Sequence, residues 1–181
     1  ALVFGGLKKL RYPQAQVSAE EPMDSYFGDP MEDLSDRFDV LPFAYDWRAP
    51  IEDSARELAA RLAQALDARQ GKDLPVRIFA HSMGGMVARA LEMVAPEVWS
   101  RFMAQEGARL VLAGTPKRGS FAPMLALSAQ HPLVNTVEAI DTCTSWKELK
   151  DLLGDFPGLM QLQCLTGANG ADLTQRTAWQ A

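Results

Sequence analysis

The sequence predicts one α/β domain of three layers, a mostly parallel sheet with helices over both faces. Three observations carry that prediction. Apolar runs of strand length alternate with segments of helical periodicity, in the order strand, helix, strand, helix, strand. Alternation of this kind implies right-handed crossovers and parallel pairing. The length of 181 residues fits a single domain on a prior of roughly 150 residues per domain.

Composition narrows the class further. With 48% hydrophobic and 23% charged residues, the chain matches an ordinary globular protein and not a disordered, collagen-like or low-complexity one. Eighteen Lys and Arg against 23 Asp and Glu leave a net charge of −5, which gives no electrostatic reason to bind nucleic acid or anionic lipid. No apolar run approaches the roughly 18 residues of a membrane span, and no basic start followed by an apolar stretch marks a signal peptide. No internal repeat is visible. Cys143 and Cys164 form neither a metal spacing nor a disulfide framework. No His, Cys, Asp and Glu cluster suggests a metal, and no cofactor is expected. Ala1 is not a natural initiator and the chain opens inside an apolar run, so a piece of a longer protein is expected.

Residues 1–6 read as a short apolar segment stopped by Gly5 and Gly6. Residues 11–32 hold three prolines and many polar side chains, which predicts an irregular surface excursion. A first strand is expected at 38–45, although Pro42 inside it cannot donate to a ladder. Pro50 then stands where a first helical residue is tolerated, with Glu52 and Asp53 in the positive first turn. Ile51, Ala55, Leu58, Leu62 and Leu66 recur at three and four residues, giving an amphipathic helix that closes near Gly71. The compact run 76–80 is the second strand. Periodicity resumes after Ser82 through Met83, Val87, Leu91 and Val94 until Pro96 stops it, and 109–113 is the third strand. Beyond Pro116 the sequence predicts loops and short helices, a cap-like segment at about 120–165. Residues 1–165 thus form the domain, and 166–181 a polar, frayed tail.

The chemistry sits in Ala80-His81-Ser82-Met83-Gly84-Gly85, between a strand and a helix. A serine hydroxyl is a poor nucleophile unless a base takes its proton and donors hold the oxyanion. A tight strand-to-helix turn lifts Ser82 above the carboxyl ends of the strands and aims the Met83 N–H, at the positive helix end, toward developing negative charge. Small residues two before and two after the serine, Ala80 and Gly84, let strand and helix approach, and Gly85 adds room. The G-x-S-x-G pattern begins here with alanine, one methyl more. A helix-capping serine explains Ser82, but not the flanking small residues and the glycine pair together.

Four stretches make the sequence resemble the lecithin:cholesterol acyltransferase-like branch of the α/β-hydrolase superfamily, among its bacterial serine esterases and lipases. They are Phe43-Ala44-Tyr45-Asp46-Trp47-Arg48, the Ser82 turn, Gly114-Thr115-Pro116-Lys117-Arg118-Gly119-Ser120, and Phe156-Pro157-Gly158-Leu159-Met160-Gln161-Leu162. The resemblance implies an α/β-hydrolase-like three-layer sandwich, incomplete, with a partial cap region after the third strand. It implies ester hydrolysis or acyl transfer on lipid-like substrates through an acyl-enzyme on Ser82, with the Gly114–Ser120 loop bordering the cleft. Tyr45 and Trp47 are expected as core anchors, and Arg48 as a partner of Asp46 or Asp53. Phe121, Met124, Leu125 and Leu127 are expected as buried cap or core, with an acyl-pocket lining as the alternative.

The remaining catalytic groups are not identified. The usual chain order is nucleophile, acid, histidine. His81 should point away from the Ser82 hydroxyl, because side chains alternate near a strand end. His131, Asp141 and Asp151 are the candidates for base and acid, and none is favoured. Gly5-Gly6 stands where a second oxyanion loop would lie, without the P-G-x-x-G-S pattern. Truncation at both ends would leave a chain with little or no catalysis. The competing class is a non-catalytic binding or interaction module on the same fold. A nucleotide-binding domain is excluded, since neither G-x-G-x-x-G nor G-x-x-x-x-G-K-[ST] occurs.

Overall fold

The computed structural model describes residues 10–13, 19–21, 24–72, 74–128, 130, 144–166, 172 and 175. The chain divides into two compact units, Gln16–Asp46 and the remainder.

The smaller unit corrects two sequence expectations. Helix α1, Asp24–Ser35, occupies part of the stretch expected to be irregular, with Pro30 inside it. Proline in a helix interior removes one N–H and clashes with the preceding turn, so composition alone argued against this helix. Its end closes through the Phe38 N–H to the Leu34 carbonyl (2.9 Å). The strand expected at 38–45 does not form, and residues 39–46 carry no regular pairing. Pro42 has no N–H for a ladder, which disfavours a paired strand there. The Phe43 and Tyr45 rings, two residues apart, stack with centroids 6.1 Å apart. Burial pushes the Tyr45 phenol up to about 12, so it remains a neutral hydroxyl.

The larger unit follows the predicted order from residue 51 onward. Helix α2, Ile51–Ala68, buries Ile51, Ala55, Ala59, Leu62 and Leu66 along one stripe, the face its periodicity predicts. Strand β1, Arg77–His81, leads through a two-residue turn into α3, Gly84–Val94. Pro96 ends that pattern but also starts a helix not foreseen from the sequence, α4, Pro96–Met103. The missing proline N–H costs nothing at a first helical position, where no intrahelical acceptor exists. Strand β2, Arg109–Ala113, stands where it was expected. Short helices α5 (Ala122–Leu127), α6 (Trp146–Gly154) and α7 (Pro157–Gln161) follow. In the tail, Thr166 forms an antiparallel bridge with Asp172.

The two strands pair in parallel, with Arg77 opposite Arg109, Phe79 opposite Val111 and His81 opposite Ala113. Among the described residues the sheet has these two strands. Strand side chains alternate between faces. One face sends Ile78 and Leu110 into a core with Leu62, Leu66, Leu91, Ala95 and Phe102, beneath α2, α3 and α4. The other leaves Phe79 at 54% and Val111 at 49% exposure. Leu91 and Phe102 are fully buried, and each such side chain contributes about 1.5–3 kcal/mol of transfer free energy. A second core gathers Ala126, Leu149, Leu152 and Phe156, with Leu10 and Tyr12 packed against it.

Candidate active site

The turn after β1 has an unusual backbone. Ser82 has φ of 52°, a left-handed conformation that costs an L-residue roughly 1–2 kcal/mol. Among the described residues it is the one non-glycine residue with positive φ. Its N–H still donates to the Ala113 carbonyl of β2 (2.8 Å), and its own carbonyl accepts from Gly85 N–H (3.1 Å). The sheet therefore grips the serine on one side and the helix start grips it on the other. Met83 follows in right-handed conformation, φ −56° and ψ −31°. The Met83 carbonyl accepts from Met86 and Val87, while its N–H has no backbone acceptor among the described residues.

Burial sorts the neighbours. Ser82 is exposed, whereas Ala80, Met83 and Gly85 on either side are buried. His81, also exposed, runs its ring along Gly114, where an added Cβ would lie 3.9 Å from both Cδ2 and Nε2. Among the described residues no imidazole or carboxylate hydrogen-bonds the Ser82 hydroxyl. Of the triad candidates, His131 and Asp141 lie outside the described residues, as do Gly5 and Gly6. Asp151 stands on α6 with its side chain exposed.

The Gly114–Ser120 loop leaves β2 beside this turn. Gly114 and Gly119 have φ of 58° and 86°, conformations that glycine adopts without a Cβ clash. Thr115 lies against Gly85 so closely that a Cβ there would overlap its side chain. Ser120 N–H donates to the Leu162 carbonyl (2.7 Å), and Cys164 N–H donates to the Ser120 carbonyl (3.1 Å). Gly119 must be glycine for this approach, since a Cβ would meet the Gln163 carbonyl oxygen at 2.5 Å and the Cys164 Cα at 2.6 Å. Cys164 is a free, buried thiol that donates to the Thr166 carbonyl at 3.0 Å.

The fourth stretch braces Trp47, Arg48 and Ala49. Gly158 N–H donates to the Arg48 carbonyl (3.1 Å), and a Cβ on Gly158 would strike the Trp47 and Ala49 carbonyl oxygens and reach Met83 Cε at 3.0 Å. Trp47 meets Phe156 edge-on at 5.4 Å. It is 47% exposed, so it anchors this contact without being a core residue. Arg48 is buried, donates to the Leu10 carbonyl at 2.7 Å and lies 5.9 Å from the Phe156 ring centre. Asp53, one of its expected partners, is bonded instead to Arg56. Gln161 completes the brace. Its Oε1 accepts the Ile51 N–H at 2.7 Å, filling the open first turn of α2, and its Nε2 donates to Glu52 at 2.7 Å. That bond is the main reason the Glu52 carboxyl titrates below its ordinary value.

The hydrophobic cluster after the loop also departs from expectation. Pro123 and Ala126 are buried, but Phe121 is 51% and Leu125 38% exposed, presenting an apolar patch along one side of α5. No group of three or more His, Cys, Asp and Glu among the described residues is placed to hold a metal ion, and no described helix is long and apolar enough to cross a membrane. Sequence reasoning missed the Thr115–Gly85 and Gly158–Trp47 contacts. Both rest on pairings distant in sequence, which no periodicity announces.

A family model for the thioesterase domain matches residues 24–118, more than half of the chain and the whole path from α1 through the Ser82 turn to the β2 loop. A strained serine between strand and helix, followed by an amide with no backbone acceptor among the described residues, is the feature this fold class builds its chemistry on. The chain belongs to the thioesterase-domain family, and with it to the α/β-hydrolase superfamily. At that level its function is hydrolysis of an ester-type bond in a small-molecule substrate. Neither a curated protein nor a solved structure matches the chain.

Proposed function

We propose that Ser82 is the nucleophile of a serine thioesterase and that the Met83 N–H holds the oxyanion. The left-handed φ of 52° at an exposed serine between β1 and α3 is the observation that carries this reading. Strain of this kind persists only where surrounding structure over-determines it, and it clusters at functional sites. Here the bonds to Ala113 and Gly85 supply that determination.

In the proposed reaction the Ser82 oxygen attacks the thioester carbonyl as a base takes its proton. The oxyanion accepts from the Met83 amide, and the carbon–sulfur bond breaks to leave an acyl-enzyme and a thiol. Thiols ionise near pH 8.5, so the sulfur departs more readily than an alkoxide and asks less of a general acid. Water then releases the acid; an alcohol in its place gives acyl transfer, the outcome suggested by the acyltransferase-like resemblance. The exposed Phe121 and Leu125, in the segment that follows the loop expected to border the cleft, support a lipid-like acyl group.

The experiment is active-site labelling of the full-length protein with a fluorophosphonate, alongside hydrolysis of acyl thioesters of rising chain length. Covalent label on Ser82, lost in Ser82→Ala together with thioester hydrolysis, is the expected result. An unlabelled Ser82 in folded full-length protein would overturn the nucleophile assignment in favour of a non-catalytic module.

A further inference from the structure

We infer that Thr115 is a positioning residue for the nucleophile, a wedge that holds the first turn of α3 in the orientation the Ser82 turn requires. The inference rests on the nucleophile reading of Ser82 and adds a residue to it. Two independent observations point to Thr115. Its side chain fills the place where any residue other than glycine at position 85 would carry its Cβ: Cγ2 and Cβ lie 2.7 and 2.8 Å from that point, and Oγ1 is closer still. Contacts below 3.0 Å are essentially absent between real Cβ atoms and their neighbours, so residues 85 and 115 share one volume. The second observation is that Thr115 Oγ1 is buried without a hydrogen-bond partner among the described residues. A polar atom left unpaired in the interior destabilises a fold, so the hydroxyl is not there for its bonding.

The placement says what the wedge does. Thr115 is two residues past Ala113, whose carbonyl takes the Ser82 N–H. Gly85 is three residues past Ser82, and its N–H closes the turn on the Ser82 carbonyl. One side chain thus links the strand that grips the serine to the helix start that returns to it. If the wedge is removed, α3 can settle toward β2, and the relation between the Ser82 oxygen and the Met83 amide shifts with no change in what binds substrate. Displacements of about 1 Å cost up to roughly 100-fold in rate when reacting groups are held in register.

The test measures fluorophosphonate inactivation of the full-length protein, separating the maximal rate from the probe concentration at half-saturation, with melting temperature recorded for every variant. Thr115→Val keeps the shape and deletes the orphan hydroxyl. It is expected to label at the wild-type rate and to melt at or above the wild-type temperature. Thr115→Ala is expected to lower the maximal rate roughly 10- to 100-fold with half-saturation unchanged. Gly85→Ala is expected to abolish labelling. Gly85→Ala combined with Thr115→Gly, which clears all three overlapping atoms, is expected to recover labelling to at least the level of Thr115→Ala. If wild type labels at Ser82 and folded Thr115→Ala labels equally fast, the wedge role is overturned and the nucleophile stands. The wedge role also fails if the double variant folds yet labels no faster than folded Gly85→Ala. No labelling of wild type overturns both readings together.

Discussion

The core around Leu91 and Phe102 and the core around Leu152 and Phe156 are built in different ways. The first is assembled from α2, α3 and α4 against one face of the strand pair, and its members recur along each helix at three- and four-residue spacing. The second joins Leu149 and Leu152 of α6 to Ala126 of α5 and to Phe156, just before α7, with Leu10 and Tyr12 coming from far away in sequence. The first core carries the Ser82 turn, because β1 enters it through Ile78 and α3 through Leu91. The second carries the brace, because Phe156 holds Trp47 and lies under Arg48. Regular elements set the nucleophile's position, and an irregular assembly holds the surrounding segments to it.

The sharpest way to break that division is to empty the first core. Phe102 has no exposed surface, and Phe→Ala in a packed interior costs about 3–5 kcal/mol. Phe102→Ala is expected to lower stability by that amount in chemical denaturation and to lose Ser82 labelling at temperatures where wild type is labelled. Leu152→Ala in the second core, expected to cost about 2–5 kcal/mol, should leave labelling of the remaining folded protein in place. Equal loss of labelling in folded Leu152→Ala would mean that the two cores act as one in shaping the turn.

The same division explains what the sequence made legible. Leu58, Leu62 and Leu66 announce α2, and the apolar runs bounded by Pro75 and by Gly107 and Gly114 announce β1 and β2. Ala80 and Gly84 announce the turn, since only small side chains allow that strand and helix to meet. Helix α1 was hidden by Gly28 and Pro30, both poor helix formers, and the strand expected at 38–45 was an apolar run that does not form a strand. Apolar runs look alike whether or not they pair. The fit of Thr115 on Gly85 and of Gly158 under Trp47 was hidden for another reason. Both are single long-range contacts, and a glycine in a sequence does not say what fills the space its missing Cβ leaves.

A smaller effect sharpens the view of the brace. Gln161→Ala removes the acceptor of the Ile51 N–H and the donor to Glu52, and losing such bonds costs about 1 kcal/mol. Its signature is in pH. The folded Glu52 carboxyl titrates below its ordinary value of 4.5, so it favours the ionised form. Its contribution to stability is therefore present in full above pH 4.5 and is lost as the pH falls through the lowered folded value. Denaturation midpoints of wild type should fall across that acid window more steeply than those of Gln161→Ala. Parallel curves would show that the Gln161 bond does not set the Glu52 titration.

The smallest expected effect is at Phe79, and it reads the sheet's two faces and therefore the limits of the first core. Phe79 and Ile78 are adjacent on β1 and point in opposite directions, so substituting each reads one face against the other. Ile78 packs into the cluster with Leu91 and Phe102, and Ile78→Ala is expected to destabilise by about 2 kcal/mol or more. Phe79 is 54% exposed, and a substitution away from packing and special backbone geometry stays within about 0.5 kcal/mol. Phe79→Ser should therefore leave the denaturation midpoint of this chain almost where it was. A loss of 2 kcal/mol or more at Phe79 would show that this face is packed, and the helix-covered face would lose its claim to be the one that holds the Ser82 turn.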